Sequence, residues 1–139
     1  NRLIQEPYNV DEIFKNKVNK EDYSSISKTF RLNTKVNLNE EVIFKFGSED
    51  DYFSLILNNN KIELDTSTTK LYPLESRYVD LKAVDQVEID LFMDVSSVEL
   101  FIRGIDKTIT TLVYFEEEEI SFKVENGLSS IVDLNIWEQ

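Results

Sequence analysis

The stretch Val87-Glu88-Ile89-Asp90-Leu91-Phe92-Met93-Asp94-Val95-Ser96-Ser97-Val98-Glu99-Leu100-Phe101-Ile102-Arg103 decides how this chain folds. Val87, Ile89, Leu91 and Met93 alternate with Glu88, Asp90 and Phe92, the period of two that a strand needs to turn one face inward. Val98, Leu100 and Ile102 repeat the pattern, and a reversal at Val95 and Ser96 lays the two runs side by side as a hairpin. In that register Leu91 stands opposite Leu100 and Glu88 opposite Arg103, giving an apolar inner face and one cross-strand ion pair outside. Phe92 and Phe101 fall together on the outer face.

The same period extends along the chain. Phe30, Leu32, Thr34, Val36 and Leu38 alternate with Arg31, Asn33, Lys35 and Asn37. Short strand-like segments follow at 42–46, 52–57, 61–65, 107–113, 120–124 and 131–137, separated by turn-like breaks. Gly47, Gly104 and Gly127 all fall in those breaks, and none interrupts a strand. About nine strands with no strand-helix alternation predict an all-β fold, two antiparallel sheets packed as a sandwich with a closed barrel as the alternative. Residues 1–27 differ. Pro7 favours an extended tether, and Val10, Ile13, Phe14 and Val18 recur at helical spacing behind an N-cap pair, Asn9 with Glu12. The expected division is therefore a linker with a short helix over 1–27 and a β-sandwich over 28–139.

Composition narrows the function. The 139 residues include 15 basic and 27 acidic side chains, a formal charge of −12. Such a field repels nucleic acid and anionic lipid, so neither is an expected partner. With no cysteine and no histidine, thiolate and imidazole chemistry and most transition-metal sites are excluded, leaving carboxylates, Lys and Tyr as candidate catalysts. No apolar run reaches membrane-spanning length. Asn1 in place of Met suggests an excised piece, and the absence of any Asn-x-Ser/Thr acceptor favours a bacterial or intracellular, cytoplasmic setting.

Four runs carry a resemblance. Asp94-Val95-Ser96-Ser97-Val98-Glu99-Leu100-Phe101 is similar to the Asp-x-Ser-Ser-x-Glu-x-Phe stretch of the C-terminal module of glycoside hydrolase family 32. Thr110-Thr111-Leu112-Val113-Tyr114 resembles that module's Thr-Ser-Arg-x-Tyr strand, and Leu134-Asn135-Ile136-Trp137-Glu138 its closing Leu-x-x-Trp-x. Arg2-Leu3-Ile4-Gln5-Glu6-Pro7 resembles the segment by which the family leaves its catalytic domain. Arg103-Gly104-Ile105-Asp106 departs from the family's Asn-Asp-Gly turn, and Phe115 stands where a Pro commonly follows the Tyr.

The resemblance implies a concanavalin A-like sandwich behind a five-bladed propeller that hydrolyses β-fructofuranosides such as sucrose, sucrose 6-phosphate or fructan. It also implies that this chain is not the catalytic part, since the family's nucleophile, stabiliser and acid/base motifs are missing from it. No cofactor or metal is expected. Asp94, Ser96, Ser97 and Glu99 are read as a turn device rather than a metal or catalytic cluster, and Glu116 to Glu119 as a solvated acidic loop. The outer-face aromatics Phe92, Phe101 and Trp137 stay open between a contact with the propeller, stacking on a fructan and a homodimer contact.

Overall fold

A computed structural model describes residues 10–139. The tether, the family-like run at 2–7 and the Asn9 cap therefore lie outside the described residues. Two six-stranded antiparallel sheets enclose one core. The first is ordered β1 (Asn16–Lys17), β12 (Ile131–Glu138), β3 (Thr29–Asn37), β8 (Gln86–Asp94), β9 (Ser97–Ile102) and β10 (Thr108–Leu112). The second runs β2 (Ile26–Ser27), β11 (Glu119–Asn126), β4 (Val42–Gly47), β5 (Tyr52–Leu57), β6 (Lys61–Asp65) and β7 (Arg77–Asp80).

The hairpin register is as read: Leu91 pairs with Leu100, both fully buried, and Asp94 pairs with Ser97 across the Val95-Ser96 turn. Main-chain groups close that turn. Ser96 N–H donates to the Asp94 carbonyl at 2.6 Å, and Val95 N–H to that of Lys28 at 2.9 Å. Val95 sits at φ 59°, an unfavourable setting for a β-branched residue. Between the sheets, the Phe30 and Phe46 rings stack at 5.8 Å, and Phe46 meets Phe53 at 4.6 Å and Phe122 at 5.1 Å. The aromatic core thus fixes the sheets face to face.

The structure differs from the sequence reading at the N-terminal side. Instead of a helix reaching Val18, one turn forms, α1 (Val10–Ile13), and the chain then extends. Asn16 and Lys17 pair with Glu138 and Trp137, and Val18 N–H donates to the Ile136 carbonyl at 2.8 Å. A helix of that length has little stability of its own, whereas the strand buries Val18 in the core and satisfies the open edge of β12. Residues expected as linker and helix thus supply an edge strand to each sheet. Strands β1, β2 and β7 went unread because two to four residues cannot display a period.

Candidate functional site

The strand registers assemble one row of side chains across the outer face of the first sheet: Lys17, Trp137, Arg31, Phe92, Glu99 and Thr110. The adjoining row is Asn135, Asn33, Asp90, Phe101 and Thr108. The sequence candidates Phe92, Phe101 and Trp137 therefore do share a face and a neighbourhood. That face is not an open platform, which corrects the picture of exposed aromatics. Phe14, itself 1% exposed, lies on Phe92 with ring centroids 5.7 Å apart and leaves Phe92 only 4% exposed. Phe101 meets Phe92 edge to face at 5.6 Å, and Ile13, Phe101 and Trp137 complete a satellite cluster around the pair. The half-buried Trp137 ring carries the Arg31 guanidinium, 4.7 Å from its centroid.

A buried carboxylate anchors the polar half of this face. Asp90 is 5% exposed. Its Oδ1 accepts from Arg31 Nη2 at 2.8 Å, Arg31 Nε at 3.1 Å and Asn33 Nδ2 at 3.1 Å, and its Oδ2 accepts from Arg103 Nε at 2.7 Å. The expected Glu88–Arg103 ion pair is thereby replaced. Arg103 reaches diagonally past Glu88 because a desolvated carboxylate gains more from a second cation than a less buried one does. The hydrogen bond to Asp90 in turn holds the Arg103 guanidinium more firmly protonated. A carboxylate clasped in this way has its lone pairs occupied by four hydrogen bonds and its charge matched by two guanidiniums, leaving little of it to meet a substrate. Its evident work is to fix the positions of Arg31 and Arg103.

The motif residues are divided by the fold. Asp94 is exposed at the end of β8, Ser96 and Ser97 are partly covered at the turn, and Glu99 is 7% exposed in the outer-face row between Phe92 and Thr110. Among the described residues no group of three or more carboxylates gathers so as to hold a metal ion. Glu116, Glu117 and Glu118 are exposed in the loop before β11, while Glu119 opens that strand and its carboxylate accepts from the Ser25 hydroxyl. Beside them a cleft of about 510 Å³ is lined by Ser24, Lys45, Ser48, Glu49, Glu117 and Lys123, among others. Of its two lysines Lys45 is buried, with its ammonium 4.2 Å from the Tyr52 ring centroid and 3.5 Å from Glu49. Sequence reasoning passed over Arg31, Asn33, Asp90 and Phe14. The run Leu91-Phe92-Met93, apolar on both faces at once, was the signal that something covers the outer side.

The sequence model described as Glycosyl hydrolases family 32 C terminal matches residues 4–138. No curated protein matches the chain. Among solved structures, sucrose-6-phosphate hydrolase from Lactobacillus gasseri superposes with a TM-score of 0.74 at 14% identity, covering 95% of this chain and 30% of that one. Exo-inulinase from Aspergillus awamori gives 0.63 at 15% identity, covering 90% and 26%, and fructosyltransferase from A. japonicus 0.60 at 15%, covering 81% and 23%. The chain thus spans under a third of the length of these structures, and at such identities they share its fold.

Proposed function

The chain belongs to the family of glycosyl hydrolase family 32 C-terminal domains, and on that premise we propose that it is the noncatalytic β-sandwich of a hydrolase acting on β-fructofuranosides such as sucrose, sucrose 6-phosphate or fructan. It braces the upstream propeller that does the chemistry and, as a second task, joins two copies of the enzyme. The seat of Phe14 carries this reading. The chain crosses the outer face of the first sheet and is pinned there by Phe92, Phe101 and Trp137, as suits a module held rigidly behind another domain. Asp90, Arg31 and Arg103 support the noncatalytic part, because their charges are committed to one another. Retaining glycosidases need two carboxyl groups flanking one bond. Asp90 is flanked by two guanidiniums instead.

The test is calorimetry and kinetics on the full-length protein. Phe14→Ala is expected to lower the melting temperature, or to split one transition into two, with kcat on sucrose at low temperature kept within about twofold. Substituting the propeller's catalytic carboxylates should abolish hydrolysis entirely. Activity surviving that substitution would overturn the noncatalytic reading. A rise in KM for inulin on Trp137→Ala, with stability unchanged, would favour the autonomous fructan-binding module instead.

A further inference from the structure

The outer face of the second sheet carries an arrangement that packing does not call for. Lys45 of β4 and Lys123 of β11 stand directly opposite each other in the ladder. Such a like-charge pair costs stability, and it occurs in a chain with only 15 basic side chains against 27 acidic. The next row on that face is Ser121, Gly47 and Tyr52, so no side chain stands at its middle and a hollow opens there. Gly47 lies at φ 136°, and a Cβ on it would come within 2.3 Å of the Asp51 carbonyl oxygen, so the position is closed to larger residues. Lys45, 8% exposed, borders the hollow with its ammonium over the Tyr52 ring and 3.5 Å from Glu49. Among the described residues that ammonium donates no hydrogen bond. A buried cation with three N–H donors, next to a ring face and one loosely held carboxylate, is short of acceptors.

We propose that this hollow binds one ring of a neutral saccharide, with Lys45 donating hydrogen bonds to its hydroxyl oxygens and Glu49 accepting from its hydroxyl groups. The walls select that class of ligand. The cleft holds about 510 Å³, within the roughly 300 to 1,000 Å³ of small-molecule sites. Its apolar side chains, Phe115 and Ile120, are 7% and 4% exposed and offer almost no surface to an apolar ligand. An anion is opposed by charge: Lys45 and Lys123 against Glu49, Asp51, Glu117 and Glu119 give 2 − 4 = −2, within a chain at −12. A sugar hydroxyl is donor and acceptor at once, so it bridges an ammonium and a carboxylate that lie side by side. Glu49 is placed for this, at 3.5 Å from Lys45 and 3.8 Å from Lys123 with its own side chain 81% exposed on the β4–β5 turn. The site lies on the sheet opposite Phe92 and Trp137. It is therefore distinct from the aromatic face, and it does not depend on which glycoside the propeller cleaves.

The experiment is hydrogen–deuterium exchange of the full-length protein, read peptide by peptide, with D-fructose, D-glucose, D-galactose or inorganic phosphate added. At least one sugar is expected to protect the β4–β5 hairpin and the start of β11 saturably, with a Kd on the order of 1 mM. Lys45→Met keeps the stem and removes the donors, and should weaken that protection about tenfold or more, with circular dichroism unchanged. Glu49→Ala, at an exposed turn position, should weaken it as well, and carries the test should Lys45→Met fail to fold. Lys61→Met, elsewhere on the same sheet, should leave it as in wild type. Protection by glucose or galactose without fructose would support this site while counting against a fructoside role for the protein. No protection by any of the three sugars at about 50 mM would overturn the proposal. Protection that survives Lys45→Met at full strength would place the sugar elsewhere, in the propeller for example, and overturn it too. Phosphate binding in preference to sugar, strengthened in Glu49→Ala, would make the hollow an anion site and refute the neutral ligand.

Discussion

Replacing Leu100 by alanine tests the face assignment on which the whole architecture turns. Leu100 is fully buried, opposite Leu91 on one side and Ile109 on the other. Truncation removes three carbons from water-excluded packing, a transfer loss of about 2.5 kcal/mol at roughly 0.8 kcal/mol per carbon. A cavity penalty follows, because three hydrogen-bonded strands cannot close by more than a fraction of the volume released; at about 24 cal/mol per Å³ it adds roughly 1 to 2 kcal/mol. The expected loss is therefore about 3.5 to 4.5 kcal/mol. Urea unfolding should show it as a lower midpoint with an unchanged slope, since the surface exposed on unfolding hardly differs. Leu128→Ala makes the same chemical change at a side chain left 71% exposed and should stay within about 0.5 kcal/mol of wild type. If the two variants lost similar stability, or Leu100→Ala lost less than about 1 kcal/mol, Leu100 would not be in the core and the sandwich as described would fail.

The Asp90 clasp should divide unequally: Arg31, whose side chain is 11% exposed, should cost about 2 to 3 kcal/mol on substitution by methionine, and Arg103, at 46%, below about 1 kcal/mol. Equal losses in urea titrations would contradict the burial difference. Val95→Asn should raise stability by about 0.5 to 1 kcal/mol, because φ 59° suits asparagine and strains valine; a loss would mean that the turn has another conformation. Burial raises the Tyr23 pKa. The folded state therefore holds that proton more tightly than the unfolded one, so the associated stability is complete below the unfolded value near 10 and declines as pH rises through the folded one. Stability of wild type and Tyr23→Phe compared from pH 9 to 11 should show the shallower alkaline decline in the variant, and parallel curves would refute the linkage.

The inner faces were legible because each long strand carries enough residues to show its period: Phe30 to Val36 and Val87 to Met93 read correctly, and their pairing follows from which side is apolar. What the sequence hid has two physical sources. Edge strands such as β1 and β7 owe their form to tertiary pairing rather than to local pattern. Ion-pair choice depends on desolvation, which the register alone does not contain. The register favours Glu88 as the partner of Arg103, and only the deeper burial of Asp90 turns the choice the other way. Of the candidate site, Phe92, Phe101 and Trp137 could be found by alternation, whereas the residue that covers them, Phe14, lies in a segment whose apolar spacing imitates a helix.

That covering contact also decides what the outer face can do. An aromatic row on a sheet exposed to water attracts a ligand or a partner, and the open question from sequence was which. Here the chain supplies its own first layer, since Phe14 takes the face of Phe92 and Arg31 takes a face of Trp137. A sugar stacking on Phe92 would first have to displace Phe14, losing the burial of two rings to gain one contact. Among the described residues, apolar surface is still exposed elsewhere, at Leu112 and at the Tyr72–Tyr114 pair. The middle strands of the first sheet thus serve to hold the incoming segment in place, with Phe14 seated on Phe92 and Arg31 on Trp137.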